Sequence, residues 1–77
     1  MTAELEGTVA IVTGAAGGLG RAVVALLRER GAAVVAEDLD PAVEALAADD
    51  VATLVGDVAQ AATARAAVAL ARERFGA

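Results

Sequence analysis

The chain has 77 residues, no cysteine, no histidine and a formal net charge of −5. That length holds one small domain at most, and the missing residue types exclude a disulfide framework and leave carboxylates as the side-chain metal ligands of note, a set that argues against a transition-metal centre. The acids Glu37, Asp38, Asp40, Glu44, Asp49 and Asp50 fall between Arg30 and Arg65 with no base among them, a segment that repels nucleic acid and anionic lipid.

The N-terminal segment M-T-A-E-L-E-G carries two glutamates and no base, so it resembles neither a signal nor a transit peptide. No apolar run reaches the length of a membrane span. A cytoplasmic protein is the expectation, with no membrane and no nucleic acid as partner. Residues 8–13 (T-V-A-I-V-T) then read as a buried strand. A glycine-rich turn follows, and residues 19–30 read as a helix. Leu19, Val23, Leu26 and Leu27 recur at helical spacing, while Arg21, Arg28 and Glu29 fall on other faces. Gly31 ends that helix.

Residues 33–37 (A-V-V-A-E) are a short apolar run suited to a strand buried on both faces. Asp40-Pro41 opens a second helix, with Asp as N-cap and Pro at the first helical position, running through Leu46 to near Asp49-Asp50. Residues 51–55 (V-A-T-L-V) form a third strand, closed by Gly56-Asp57. Residues 60–74 read as helix on alanine content alone; Val68, Leu70 and Phe75 share no face, and Ala59 stands where a Ser or Thr cap belongs. Strict alternation of strand and helix predicts an α/β fold with parallel strands in the order 3-2-1 and helices on both faces.

The chemistry concentrates at the strand ends. Residues 13–20, T-G-A-A-G-G-L-G, join a buried strand to a helix. Glycine lets the backbone approach an anion closely, and the helix N-terminus offers unpaired N–H groups and a partial positive charge. Asp38 closes the second strand, 20 residues beyond Gly18, where an acid can accept hydrogen bonds from ribose hydroxyls. Its competing role is a turn or cap. Asp57 follows the third strand, and its competing role is a helix N-cap. The other acids of the middle segment read as a solvated face. A Walker A loop is excluded because no lysine follows the glycines.

Gly14, Gly18 and Gly20, an Asp closing the second strand and G-D-V after the third together resemble the N-terminal nucleotide-binding portion of the short-chain dehydrogenase/reductase family. The resemblance covers essentially all 77 residues and implies part of a Rossmann-type three-layer sandwich. It implies NAD as cofactor, with Gly14 making the turn, Gly17 and Gly18 in the loop, and the Gly18 and Leu19 backbones meeting the pyrophosphate. Gly20 would allow close helix–strand packing, Asp38 would take the ribose, neighbouring Leu39 would belong to the cofactor site, and Asp57 with Val58 would take the adenine. Thr13 is expected to bond across the turn and Arg21 to be a solvated helix residue.

The family's catalysis uses Tyr, Lys, Ser and Asn, and none of these residue types occurs in the chain. The expectation is therefore that residues 1–77 are the N-terminal part of a dinucleotide-binding domain, cut before the catalytic half of a homo-oligomeric oxidoreductase. A stand-alone nucleotide-binding module and an inert truncation product are the two alternatives.

Overall fold

The protein is described by a computed structural model over residues 4–77; residues 1–3, the start of the acidic N-terminal segment, lie outside the described part. The three apolar runs become β1 (Val9–Thr13), β2 (Ala33–Asp38) and β3 (Val51–Val55). They form one parallel sheet in the order β1-β2-β3, which is the expected 3-2-1 arrangement. Thr13 lies opposite Glu37, and Asp38 opposite Val55. The register therefore brings the C-terminal ends of all three strands to one edge, each followed by a turn read above as a site.

Side-chain alternation divides the core into two layers. Val34 and Ala36 face α1 (Gly18–Glu29) and pack with Val24, Val43 and Val51. Val35 faces the opposite side, against Ala67 and Ala71 of α2 (Ala61–Phe75). Val34, Val35, Val43 and Val51 are fully buried, worth about 1.5–3 kcal/mol each in area removed from water. β2, paired on both sides and covered on both faces, is the centre of the molecule. The outer side of β1 has no strand partner among the described residues, and Ile11 there is 43% exposed.

α1 ends in a Schellman motif: Gly31, at φ 97°, donates to the Arg28 carbonyl at 3.0 Å, and Ala32 donates to Leu27 at 3.0 Å. The second helix departs from expectation. Asp40 does cap it, accepting from the Ala42 N–H at 2.9 Å, but the element is a 3-10 helix over Pro41–Leu46. Val43 must reach the core while the chain turns back through the Ala48–Val51 bridge into β3, which leaves no length for regular α-helix. α2 resolves its ambiguous pattern by docking through small residues. Ala67 and Ala71, four apart, are buried, Leu70 and Phe75 flank them, and Val68 stays outside.

Candidate functional site

The turn between β1 and α1 is shaped by two glycines with different jobs. Gly14 adopts φ 68°, which a side chain disfavours. Gly20 sits against the turn itself: a Cβ there would strike the Gly14 carbonyl oxygen and lie 2.7 Å from the Ala15 Cα. A Cβ at Gly18 would meet only open space, so the loop is bare on the side a ligand would approach. Gly17 occupies the N-cap position and provides no capping side chain, and the first helical bond runs from Arg21 N–H to Gly17 O at 2.9 Å. The N–H groups of Gly18, Leu19 and Gly20 consequently have no backbone acceptor among the described residues. Three unpaired donors with a helix dipole behind them suit a phosphate.

β2 holds this loop from the side. Ala15 N–H donates to the Glu37 carbonyl at 3.0 Å, and Ala16 N–H donates to Asp38 Oδ2 at 2.8 Å. Asp38 Oδ1 accepts from Asp40 N–H at 2.9 Å. These bonds, that of Asp40 first and that of Ala16 next, hold the Asp38 carboxyl below the usual carboxylate range. The turn role that competed with ribose binding in the sequence is thus present, while each carboxylate oxygen retains a lone pair for a further donor. Two expectations change here. Arg21 is not simply solvated, since its Nε donates to the Ala16 carbonyl at 2.8 Å. Thr13 makes no side-chain hydrogen bond among the described residues and is exposed on the face of the sheet toward α2.

Past β3, Asp57 Oδ1 accepts from Ala59 N–H at 2.9 Å. α2 starts only at Ala61, with Gln60 in the cap position, so Asp57 closes an Asx turn and is not the helix cap. Three apolar side chains stand out in solvent: Leu19 is 82% exposed, Leu39 68% and Val58 63%, the highest values among the large hydrophobics of the described residues. All three follow strand ends, and all three are residues the sequence assigned to the site. An apolar side chain held in water at a cleft edge suits the face of a bound ring or sugar.

Glu37 is the residue that sequence reasoning missed. Its place in the acidic segment reads as a solvated face, yet it is 2% exposed, and its Oε2 has no hydrogen-bond partner among the described residues. Loss of hydration pushes its carboxyl up, and the charges of Asp38 and Asp57 push it further. With Thr13, Val58 and Thr63 it lines a cavity of about 190 Å³ between the sheet and α2. The signal was available, because a strand buried on both faces must bury position 37 as well. A shallower hollow of about 400 Å³ runs along α2 alone and contains none of the site residues. Among the described residues no cluster of acids is arranged to hold a metal, and no helix is long and apolar enough to cross a membrane.

Comparison with known proteins agrees with this geometry. Residues 8–77 match the family described as short chain dehydrogenase. A short-chain dehydrogenase/reductase of Brucella melitensis, described as glucose/ribitol dehydrogenase, superposes with a TM-score of 0.87 at 41% identity, covering 99% of this chain and 35% of that one. A 3-ketoacyl-(acyl-carrier-protein) reductase from the same organism, solved with NADH, superposes with a TM-score of 0.85 at 36% identity, over 94% of this chain and 31% of that one. The hydroxyacyl-CoA dehydrogenase ChsB1 of Mycobacterium tuberculosis is 48% identical over 65 residues, 84% of this chain and 20% of the relative. The chain thus spans a third or less of the length of that relative and about a third of each structure. With the family model matching residues 8–77, nearly the whole of it, the chain belongs to the short-chain dehydrogenase family.

Proposed function

We propose that this chain is the nucleotide-binding portion of an NAD-dependent oxidoreductase that moves a hydride between NAD(H) and an alcohol or carbonyl. The observation that carries the reading is the contact between Asp38 and the Ala16 N–H. It places a carboxylate suited to ribose directly beside a loop whose donors suit a diphosphate. The Gly18 and Leu19 N–H groups would hold the diphosphate, with Gly17 bare beside them and Gly14 and Gly20 shaping the turn. Asp38 would accept from the ribose hydroxyls with Leu39 covering the sugar, and Asp57 and the Val58 backbone would take the adenine edge. When bound, the cofactor supplies or accepts the hydride. No Tyr, Lys, Ser or Asn exists in these 77 residues, so the chain's own part is to bind and orient. The acid/base groups belong to the remainder of a larger, cytoplasmic, homo-oligomeric parent enzyme.

Cofactor choice tests the reading. A 2′-phosphate would sit against Asp38, with no Arg or Lys in residues 13–20 or in the stretch after Asp38 to balance it. Repulsion between like charges at contact distance in a solvated site predicts a preference for NAD over NADP of about tenfold. Calorimetric titration of both into the parent enzyme measures it. Equal or tighter binding of NADP would remove Asp38 from the ribose.

A further inference from the structure

A loop rich in glycine has little local means of fixing its own shape, because glycine has the most conformational freedom to lose. Between Gly14 and Gly18 the only residues with side chains are Ala15 and Ala16, and neither side chain can hydrogen-bond. The order comes from outside. Ala16 is held at both of its backbone groups by ionised side chains: its N–H donates to Asp38 Oδ2 at 2.8 Å, and its carbonyl accepts from Arg21 Nε at 2.8 Å. Ala15 is tied to the Glu37 carbonyl of the same strand. The one bond internal to the loop, Gly17 N–H to Gly14 O, is longer at 3.3 Å.

We propose that Asp38 is a positioning residue for the anion-binding loop: through Ala16 it sets the loop shape that presents the Gly18 and Leu19 N–H groups to a diphosphate. This role rests on the diphosphate reading of the loop and is separate from any contact of Asp38 with a sugar. The acid at the end of β2 therefore serves two parts of one ligand, one directly and one through the backbone.

The two roles predict opposite signs for a ligand that has no sugar. Inorganic pyrophosphate carries the anion and nothing for Asp38 to bind. If Asp38 acts on ribose alone, Asp38→Ala removes a like charge from the surroundings of the anion, and pyrophosphate binds as well or more tightly. If Asp38 sets the loop, Asp38→Ala weakens pyrophosphate in spite of the relieved repulsion. Loss of a charge-assisted hydrogen bond predicts about a tenfold drop. Asp38→Asn keeps one carbonyl acceptor and should recover part of it. Hydrogen exchange at the Ala16 amide should quicken in Asp38→Ala while the Val35 amide, inside β2, keeps its protection.

A measurement on the unsubstituted chain covers the case in which the variant fails to fold. The Ala16 amide proton resonance should follow the titration of Asp38, with a midpoint below the usual carboxylate range. Pyrophosphate binding by Asp38→Ala at or above the wild-type affinity overturns the proposal alone, as does an Ala16 amide that ignores Asp38. A wild-type chain that binds neither NAD nor pyrophosphate, even at millimolar concentration, overturns the functional reading and the proposal with it.

Discussion

Glu37 and Asp38 are neighbours with the same charge, and strand alternation gives them opposite surroundings. Asp38 turns to the edge and collects backbone donors, whereas Glu37 turns under α2, where its Oε2 finds none among the described residues. Their titrations consequently act on stability with opposite sign. Asp38, depressed in the fold, contributes stability above its unfolded pKa of about 3.9, and that contribution is lost as pH falls through the folded value. Glu37, raised in the fold, costs stability once pH climbs past its unfolded pKa of about 4.3, and the cost grows until the folded value is passed. Stability should peak between the two, at mildly acidic pH. Glu37→Gln removes the charge and should stabilise the chain at pH 7 by about 1 kcal/mol, because an ionised group left buried without a partner costs more than a neutral one. The gain should shrink toward zero near pH 4. Urea unfolding at both pH values checks this, and a variant less stable than wild type at pH 7 would mean that Glu37 has a partner in solution. An acid in an acidic window looks solvated when residues are read singly; only its place in β2 told otherwise.

At the level of elements, the turn from β1 to α1 separates two kinds of glycine. Gly14 has open space where a methyl would stand but a left-handed φ of 68°, so Gly14→Ala should cost about 1 kcal/mol in backbone strain. Gly20→Ala would drive a methyl into the Gly14 carbonyl and the Ala15 Cα. α1 must then move off the turn, at about 1–3 kcal/mol, taking its free N–H groups with it. Denaturation with parallel NAD titration should show Gly20→Ala as the more damaging for both stability and binding. A Gly20→Ala chain as stable as wild type would show that α1 does not pack on the turn. The strands, α1 and α2 lie within one residue of their sequence-based limits, because glycines, Asp-Pro and apolar runs punctuate them. The 3-10 helix was not legible, since its pitch is set by where Val43 and β3 must sit. Nor was the docking face of α2, where alanine on all sides gives no contrast between inside and outside.

For the molecule as a whole, alternation calls for parallel neighbours joined by crossovers, and the order 3-2-1 is that of a Rossmann-type half. What the order leaves is an apolar outer strand. β1 carries neither charge nor proline, and its outer side has no partner among the described residues. Such an edge is a template for pairing with another chain, and an alanine-rich core has little burial in reserve against it. The 77-residue chain is therefore expected to self-associate, and Ile11→Lys, which sets a charge on that edge, should reduce the association. Sedimentation velocity across a concentration series measures both. A monodisperse wild-type monomer with cooperative unfolding would overturn the expectation.

The bonds from Ala15 to Glu37 and from Ala16 to Asp38 each span 22 residues. A peptide of residues 13–20 alone would keep every glycine and lose both anchors. The glycine motif is therefore not portable: its binding shape belongs to the closed β1–α1–β2 unit. Because distant ends must meet before such contacts form, the loop is finished only when β2 has docked. Any anion that needs the finished loop is then a reporter of that docking, and its affinity measures how completely the first half of the sheet has folded.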